Sequence, residues 1–170
     1  MLIGEVIPQL HQYLHSNPAA AERSEYRHIL VDEYQDLNRA EQGVIELISN
    51  AADACIVGDD GQSIYSFKHA HPDGIREWLI NAGADDLGLD ECRRCPTRVA
   101  EMANSLIRHN VQRPVPRPLN PSPANGAGDV RIIQYRTITH EVTGIVGLVS
   151  QMIANGTPAG DILVLAQSRA

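Results

Sequence analysis

Apolar positions along this chain change period several times, and each change marks an element. Ile3, Val6, Ile7, Leu10 and Leu14 recur at helical spacing, which predicts helix over residues 1–23 with a break at Ser16-Asn17-Pro18. His28-Ile29-Leu30-Val31 is a short, mainly apolar run that ends in acids, the pattern of a buried parallel strand. Asn38 and Glu41 have capping-box spacing, and Val44, Leu47 and Ile48 supply the stripe of the helix they open. Ala54-Cys55-Ile56-Val57 reads as a second buried strand, again running into acids. Residues 73–80 read as a short helix and Asp86 to Leu89 as a third strand.

Thr97 is placed to cap a helix with the stripe Val99, Met102, Ala103, Leu106 and Ile107. Five of the ten prolines then fall between Pro114 and Pro123, followed by Asn125-Gly126-Ala127-Gly128, which reads as a linker or long loop. Beyond it the pattern restarts: strand Val130 to Tyr135, helix 140–154 on Val142, Ile145, Val146, Val149 and Ile153, then strand Ile162 to Ala166. Strands alternating with helices predict an α/β fold, a parallel sheet covered on both faces, with ligands beyond the C-terminal strand ends.

Composition changes this picture little. The 170 residues are 43% hydrophobic and 21% charged, a globular balance. The net charge of -7 disfavours a stand-alone nucleic-acid binder but permits a local basic groove. No apolar run is long enough to span a membrane, and Glu5 and Pro8 do not suit a secretory leader, so a cytoplasmic location is expected. Cys92-Arg93-Arg94-Cys95 is formally a C-x-x-C, but no second pair completes a four-ligand zinc site. It reads as two ordinary small side chains around a helix start in preference to a zinc or redox site.

The candidate chemistry lies at the strand ends. Adjacent Asp32 and Glu33 suit a division of labour in phosphoryl transfer, one carboxylate on a Mg²⁺ ion and one orienting water. A bare pair would more often be a solvated turn; Gln35, Asp36 and the second acidic strand end, Gly58-Asp59-Asp60, reverse that balance. Gln62 offers donors and acceptors that suit a phosphate sensor, or a turn. Tyr65, Phe67 and the chain's single lysine, Lys68, suit stacking on bases near a phosphate, or core packing. Arg94, beside Arg93, lies where a strand passes into a helix and its fork suits a phosphate, or plain solvent.

Together these residues resemble the UvrD/Rep family of superfamily 1 DNA helicases. Ile29-Leu30-Val31-Asp32-Glu33-Tyr34-Gln35-Asp36-Leu37-Asn38 is similar to its Walker B motif, DE(F/Y)QD(T/L)N, and Val57 to Ala70 to its VGDDDQSIYGFRGA block. Ala103-Asn104-Ser105-Leu106-Ile107 matches the end of a later stretch that begins with Asn-Tyr-Arg. The resemblance implies a RecA-like, P-loop NTPase type parallel sheet truncated at both ends. It divides the chain into the end of a helical insertion (1–25), the C-terminal part of the first RecA-like ATPase domain (26–112), a Pro/Gly-rich linker (113–128) and the start of the second (129–170). It implies ATP and Mg²⁺ as cofactors, with Asp32 on the metal and Glu33 as catalytic base. Gln62 and Arg94 would contact the γ-phosphate, and Arg93 would take the place of an adenine-stacking tyrosine. Phe67 would stack on a single-stranded base, with Tyr65 and Lys68 supporting that surface.

The chain also departs from the family pattern. Gly61 replaces an acid, Ser66 and His69 replace two glycines, Lys68 replaces arginine, and Cys92 and Arg93 replace Asn-Tyr. It holds no G-x-x-x-x-G-K-[ST], so nothing in it cradles the β- and γ-phosphates. The leading expectation is an internal piece of a helicase that translocates on single-stranded DNA and unwinds duplex in repair, replication or recombination. By itself the piece would have little ATPase activity, and exposed apolar surface would favour self-association. Two further readings are a non-catalytic, helicase-like module that binds or regulates a protein partner, and the helicase part of a RecB- or AddA-like nuclease.

Overall fold

The computed structural model describes residues 3–89, 91–109 and 118–166. They fall in two compact units, Met1–Gly128 and Asp129–Ala170. In the first, helix α1 (Val6–Ser16) packs on α2 (Arg39–Ser49) and buries Leu14 completely. The break expected after Ser16 is present: Asn17 ends α1, and a 3-10 turn at Ala21–Arg23 follows, fixed by Arg23 donating to the Leu14 carbonyl at 3.2 Å.

Strand β1 (His28–Val31) pairs in parallel with β2 (Asp53–Ile56), in the register His28 to Asp53 through Val31 to Ile56. Helix α2 is the crossover between them. It starts at the expected capping box: Asn38 accepts from the Ala40 and Glu41 backbone N–H groups, and Glu41 accepts from the Asn38 N–H at 2.8 Å. Helix α3 (Gly74–Ala82) follows and seats Trp78 edge-on against Tyr34, ring centroids 5.9 Å apart.

Several expectations are corrected. The chain is α/β, but its described strands make two separate two-stranded parallel sheets rather than one sheet covered on both faces. Leu30, read as core, is 82% exposed, because the helices described around β1 leave its outward face bare. Residues 86–89 form no strand. Extended backbone becomes a strand only beside a partner, and the partner Asn120–Pro121 (β4) pairs instead with Glu91–Cys92 (β3). Thr97 does not cap α4 (Thr97–Ile107): Pro96 holds the cap position, and the Thr97 hydroxyl donates to the Gly126 carbonyl. The expected stripe of α4 is also rotated. Ala100 is buried while Met102 and Leu106 are exposed, because Asn104 fixes the inward face by exchanging hydrogen bonds with the backbone of Leu119 at 2.8 and 2.9 Å.

The stretch read as linker is not uniform. Its residues 113–117 lie outside the described ones; residues 118–127 join the first unit through β4 and through the Gly126 and Ala127 carbonyls, which accept from the Thr97 and Arg98 N–H groups. In the second unit, α5 (Ile138–Ala154) is capped by Thr137 and begins two residues before the expected start. The runs 130–135 and 162–166 form no strands, having no paired neighbour among the described residues. No described helix is long and apolar enough to cross a membrane.

Candidate functional site

Because β1 and β2 run parallel and in register, the segments after Val31 and Ile56 leave the sheet side by side. The ladder continues past both strands: the Val57 N–H donates to the Val31 carbonyl at 2.7 Å, and the Tyr34 N–H donates to Val57 at 3.0 Å. Asp32 and Glu33 therefore sit in a loop directly against the second acidic segment. The turn is tight. Glu33 is left-handed (φ 51°, ψ 41°), and its N–H donates to Asp32 Oδ1 at 2.9 Å. Both carboxylates are exposed.

Gln35 joins the two segments. Its Nε2 donates to Glu33 Oε2 at 2.7 Å, and its Oε1 accepts from the Asp59 N–H at 3.1 Å. The amide orientation follows from chemistry, since a carboxylate needs a donor and an N–H needs an acceptor. The Gln35 carbonyl also accepts from Ser63 Oγ at 3.3 Å. At 1% exposure Gln35 has little water to fall back on, so each of these bonds counts. Asp59 then accepts from the Gly61 N–H at 2.9 Å and from Gln62 Nε2 at 3.1 Å. A hydrogen-bond chain thus runs Glu33–Gln35–Asp59–Gln62. Gly58 leaves room for it: a β-carbon there would lie 2.9 Å from Ile75 Cδ1 and 3.3 Å from the Tyr34 nitrogen, with the Gln35 amide oxygen closer still.

Beneath the loop, Tyr34 is fully buried, and its hydroxyl has no hydrogen-bond partner among the described residues. Burial first, then the charges of Glu46 and Glu77, push its ionisation well above the ordinary tyrosine range. Arg76 of α3 donates through Nε to Asp60 at 3.1 Å and through Nη1 to Asp73 at 3.1 Å, tying the second acidic loop to that helix. The aromatic segment is outward-facing. Tyr65 and Phe67 meet edge-on at 5.8 Å, Lys68 Nζ lies 4.7 Å from the Tyr65 ring centre, and Phe67 is 72% exposed. His69 is left-handed (φ 59°), at a position where the resemblance expects glycine.

Asp32, Glu33 and Gln62 are brought together; Arg93 and Arg94 are not joined to them by any hydrogen bond or ion pair among the described residues. Arg93 pairs with Glu91 at 3.1 Å, and Arg94 is exposed between β3 and α4. Sequence reasoning gave Gln35 and Asp59 no role of their own. The signal was available: a glutamine two residues past a catalytic-type carboxylate, facing a glycine at the end of the next strand.

Among the described residues no group of three or more His, Cys, Asp or Glu is gathered around a metal position, and toward Mg²⁺ Asp32 offers one carboxylate. The turn bond engages only Oδ1 of Asp32, and a single exposed carboxylate completed by water and phosphate oxygens is the usual protein contribution to this cation.

Residues 2–79 match the UvrD/REP helicase N-terminal domain. The chain is 31% identical over 113 residues to DNA helicase II of Haemophilus influenzae, covering 65% of this chain and 16% of that protein. It is 32% identical over 119 residues to ATP-dependent DNA helicase PcrA of Staphylococcus epidermidis, covering 69% and 16%. A third relative, one subunit of the ATP-dependent helicase/nuclease of Streptococcus thermophilus, is 34% identical over 109 residues, 60% of this chain and 9% of that one. The chain thus spans less than a fifth of the length of these relatives. The N-terminal domain match and these helicase relatives together support a UvrD/Rep-type fragment.

Proposed function

We propose that this chain carries the metal-and-water station and the phosphate sensor of an ATP-dependent DNA helicase, on part of a RecA-like sheet. The Glu33–Gln35–Asp59–Gln62 hydrogen-bond chain supports the reading most directly, because it links the two groups that must act together. Asp32 would hold Mg²⁺, which when bound neutralises phosphate charge. Glu33, oriented by Gln35, would accept the proton of the attacking water. Gln62, exposed beside Asp59, would exchange its bond to Asp59 for one to the γ-phosphate, and the change would pass through residues 63–65 to Phe67. Phe67, with Tyr65 and Lys68, would stack on a single-stranded base. Arg94 would reach the phosphate and Arg93 the adenine only once they are brought to this loop. The reading places the protein in the cytoplasm, acting on single-stranded and duplex DNA.

The test is DNA-stimulated ATP hydrolysis by the intact protein that contains this chain. Glu33→Gln is expected to lower turnover by about 10²- to 10⁴-fold, the usual range for a general base, with nucleotide binding retained. Unchanged turnover would refute the role of Glu33. The similarity to a helicase/nuclease supports a second reading, in which the same motor drives a nuclease; DNA cleavage by the intact protein would decide for it.

A further inference from the structure

The Cys92–Cys95 turn is built, not incidental. Cys92 belongs to β3, and its carbonyl accepts from the Ser122 N–H at 3.0 Å. Asn125 Nδ2 donates to the Cys92 carbonyl at 2.8 Å and to the Cys95 carbonyl at 3.0 Å, clamping both ends of the turn with one amide. Pro96 follows, packed so closely on Gly128 that a β-carbon on the glycine would lie 3.1 Å from Pro96 Cγ. Within this clamp the Cys95 N–H donates to Cys92 Sγ at 3.4 Å, and both thiols are free and partly exposed.

We propose that Cys92 and Cys95 form a redox-active dithiol that a low-molecular-weight disulfide oxidises to an intramolecular disulfide, with Cys92 as the attacking sulfur and Cys95 as the resolving one. The geometry distinguishes the two roles. The backbone N–H groups of Cys95 and Arg94, with the Cys95 thiol and the Arg94 charge, hold the Cys92 thiol below the ordinary thiol range. Cys95, donating to Cys92, is held above it. The thiolate is the nucleophile in exchange. Cys92 attacks one sulfur of the small disulfide; that S–S bond breaks, a mixed disulfide forms on Cys92, and one small thiolate leaves. Cys95 then gives its proton to solvent and attacks the Cys92 sulfur, expelling the second thiolate. The protein dithiol loses two electrons and the small disulfide gains them. The closed ring would enclose Arg93 and Arg94; any effect on nucleotide rests on the proposed function, whereas the thiol chemistry does not.

The test treats the reduced chain with glutathione disulfide, alkylates the remaining thiols and digests with trypsin. Cleavage after Arg93 and Arg94 separates the two cysteines, so their peptides stay together only if a disulfide joins them. The expected result is that linked pair, with exposed Cys55 alkylated and no disulfide between chains. In Cys95→Ser one glutathione is expected to remain on Cys92; in Cys92→Ser the reaction of Cys95 is expected to slow roughly tenfold or more. Oxidation of Cys55 as fast as Cys92, disulfides between chains, or a wild-type adduct that never resolves would each overturn the proposal.

Discussion

The loops after β1 and β2 and the second unit, residues 129–166, contrast sharply, although their hydrophobic patterns look alike. In the first, two apolar strands pair, their C-terminal segments exchange hydrogen bonds, and Tyr34 and Gln35 are sealed beneath. In the second, α5 forms with a proper cap, yet it contains no buried residue, and the apolar runs on either side have no paired neighbour among the described residues. A helix satisfies its own backbone and needs only local sequence, whereas a strand exists only with a neighbour. The site stands where two strands pair.

Four substitutions, with a control at Gly147, sharpen this contrast. The largest effect is expected from Gln35→Leu, which removes the acceptor of the part-buried Asp59 N–H and the donor to Glu33. Urea unfolding should show a loss of about 3 kcal/mol. A loss below about 0.5 kcal/mol would mean that the two loops are not tied through Gln35. Gly58→Ala should cost about 2 kcal/mol, because the added methyl meets Ile75, the Tyr34 backbone and the Gln35 amide. An alanine added at Gly147, where a β-carbon meets nothing within 4 Å, should cost nothing in the same assay.

His69→Gly should gain about 1 kcal/mol by relieving a left-handed backbone, measured again by urea midpoint. The smallest effect at neutral pH is expected from Tyr34→Phe, which removes a buried hydroxyl with no partner among the described residues. Its signature is at high pH. Burial raises the folded-state ionisation of Tyr34, so stability is full below the ordinary value of 10.0 and falls above it, as unfolding releases the proton. The phenylalanine variant should lose part of that alkaline decline, readable as thermal midpoints between about pH 9 and 11.

How much of this was legible in the sequence differs by residue. The capping box of Asn38 and Glu41 was legible because it is local and chemical. The adjacency of the two acidic segments followed from two apolar runs separated by one helix. Exposure of Leu30 was not legible, since an apolar strand residue reads the same whether or not a neighbour covers it. Nor was the inward face of α4, which is set by Asn104 reaching a backbone fifteen residues away. The bridging role of Gln35 depends on strand register, which fixes that Asp59 lies opposite it. Arg93 and Arg94 marked a strand-to-helix turn, but the thiols on either side of them carry the geometry that the structure displays.

The most direct measurement of the coupling between the carboxylate and sensor loops is amide hydrogen exchange at Asp59 in the wild-type chain and in Gln35→Leu. The coupling predicts a protected Asp59 amide that exchanges at least about tenfold faster in the variant, while the Val57 amide, bonded to Val31, keeps its protection. Equal exchange at Asp59 in the two proteins would contradict it.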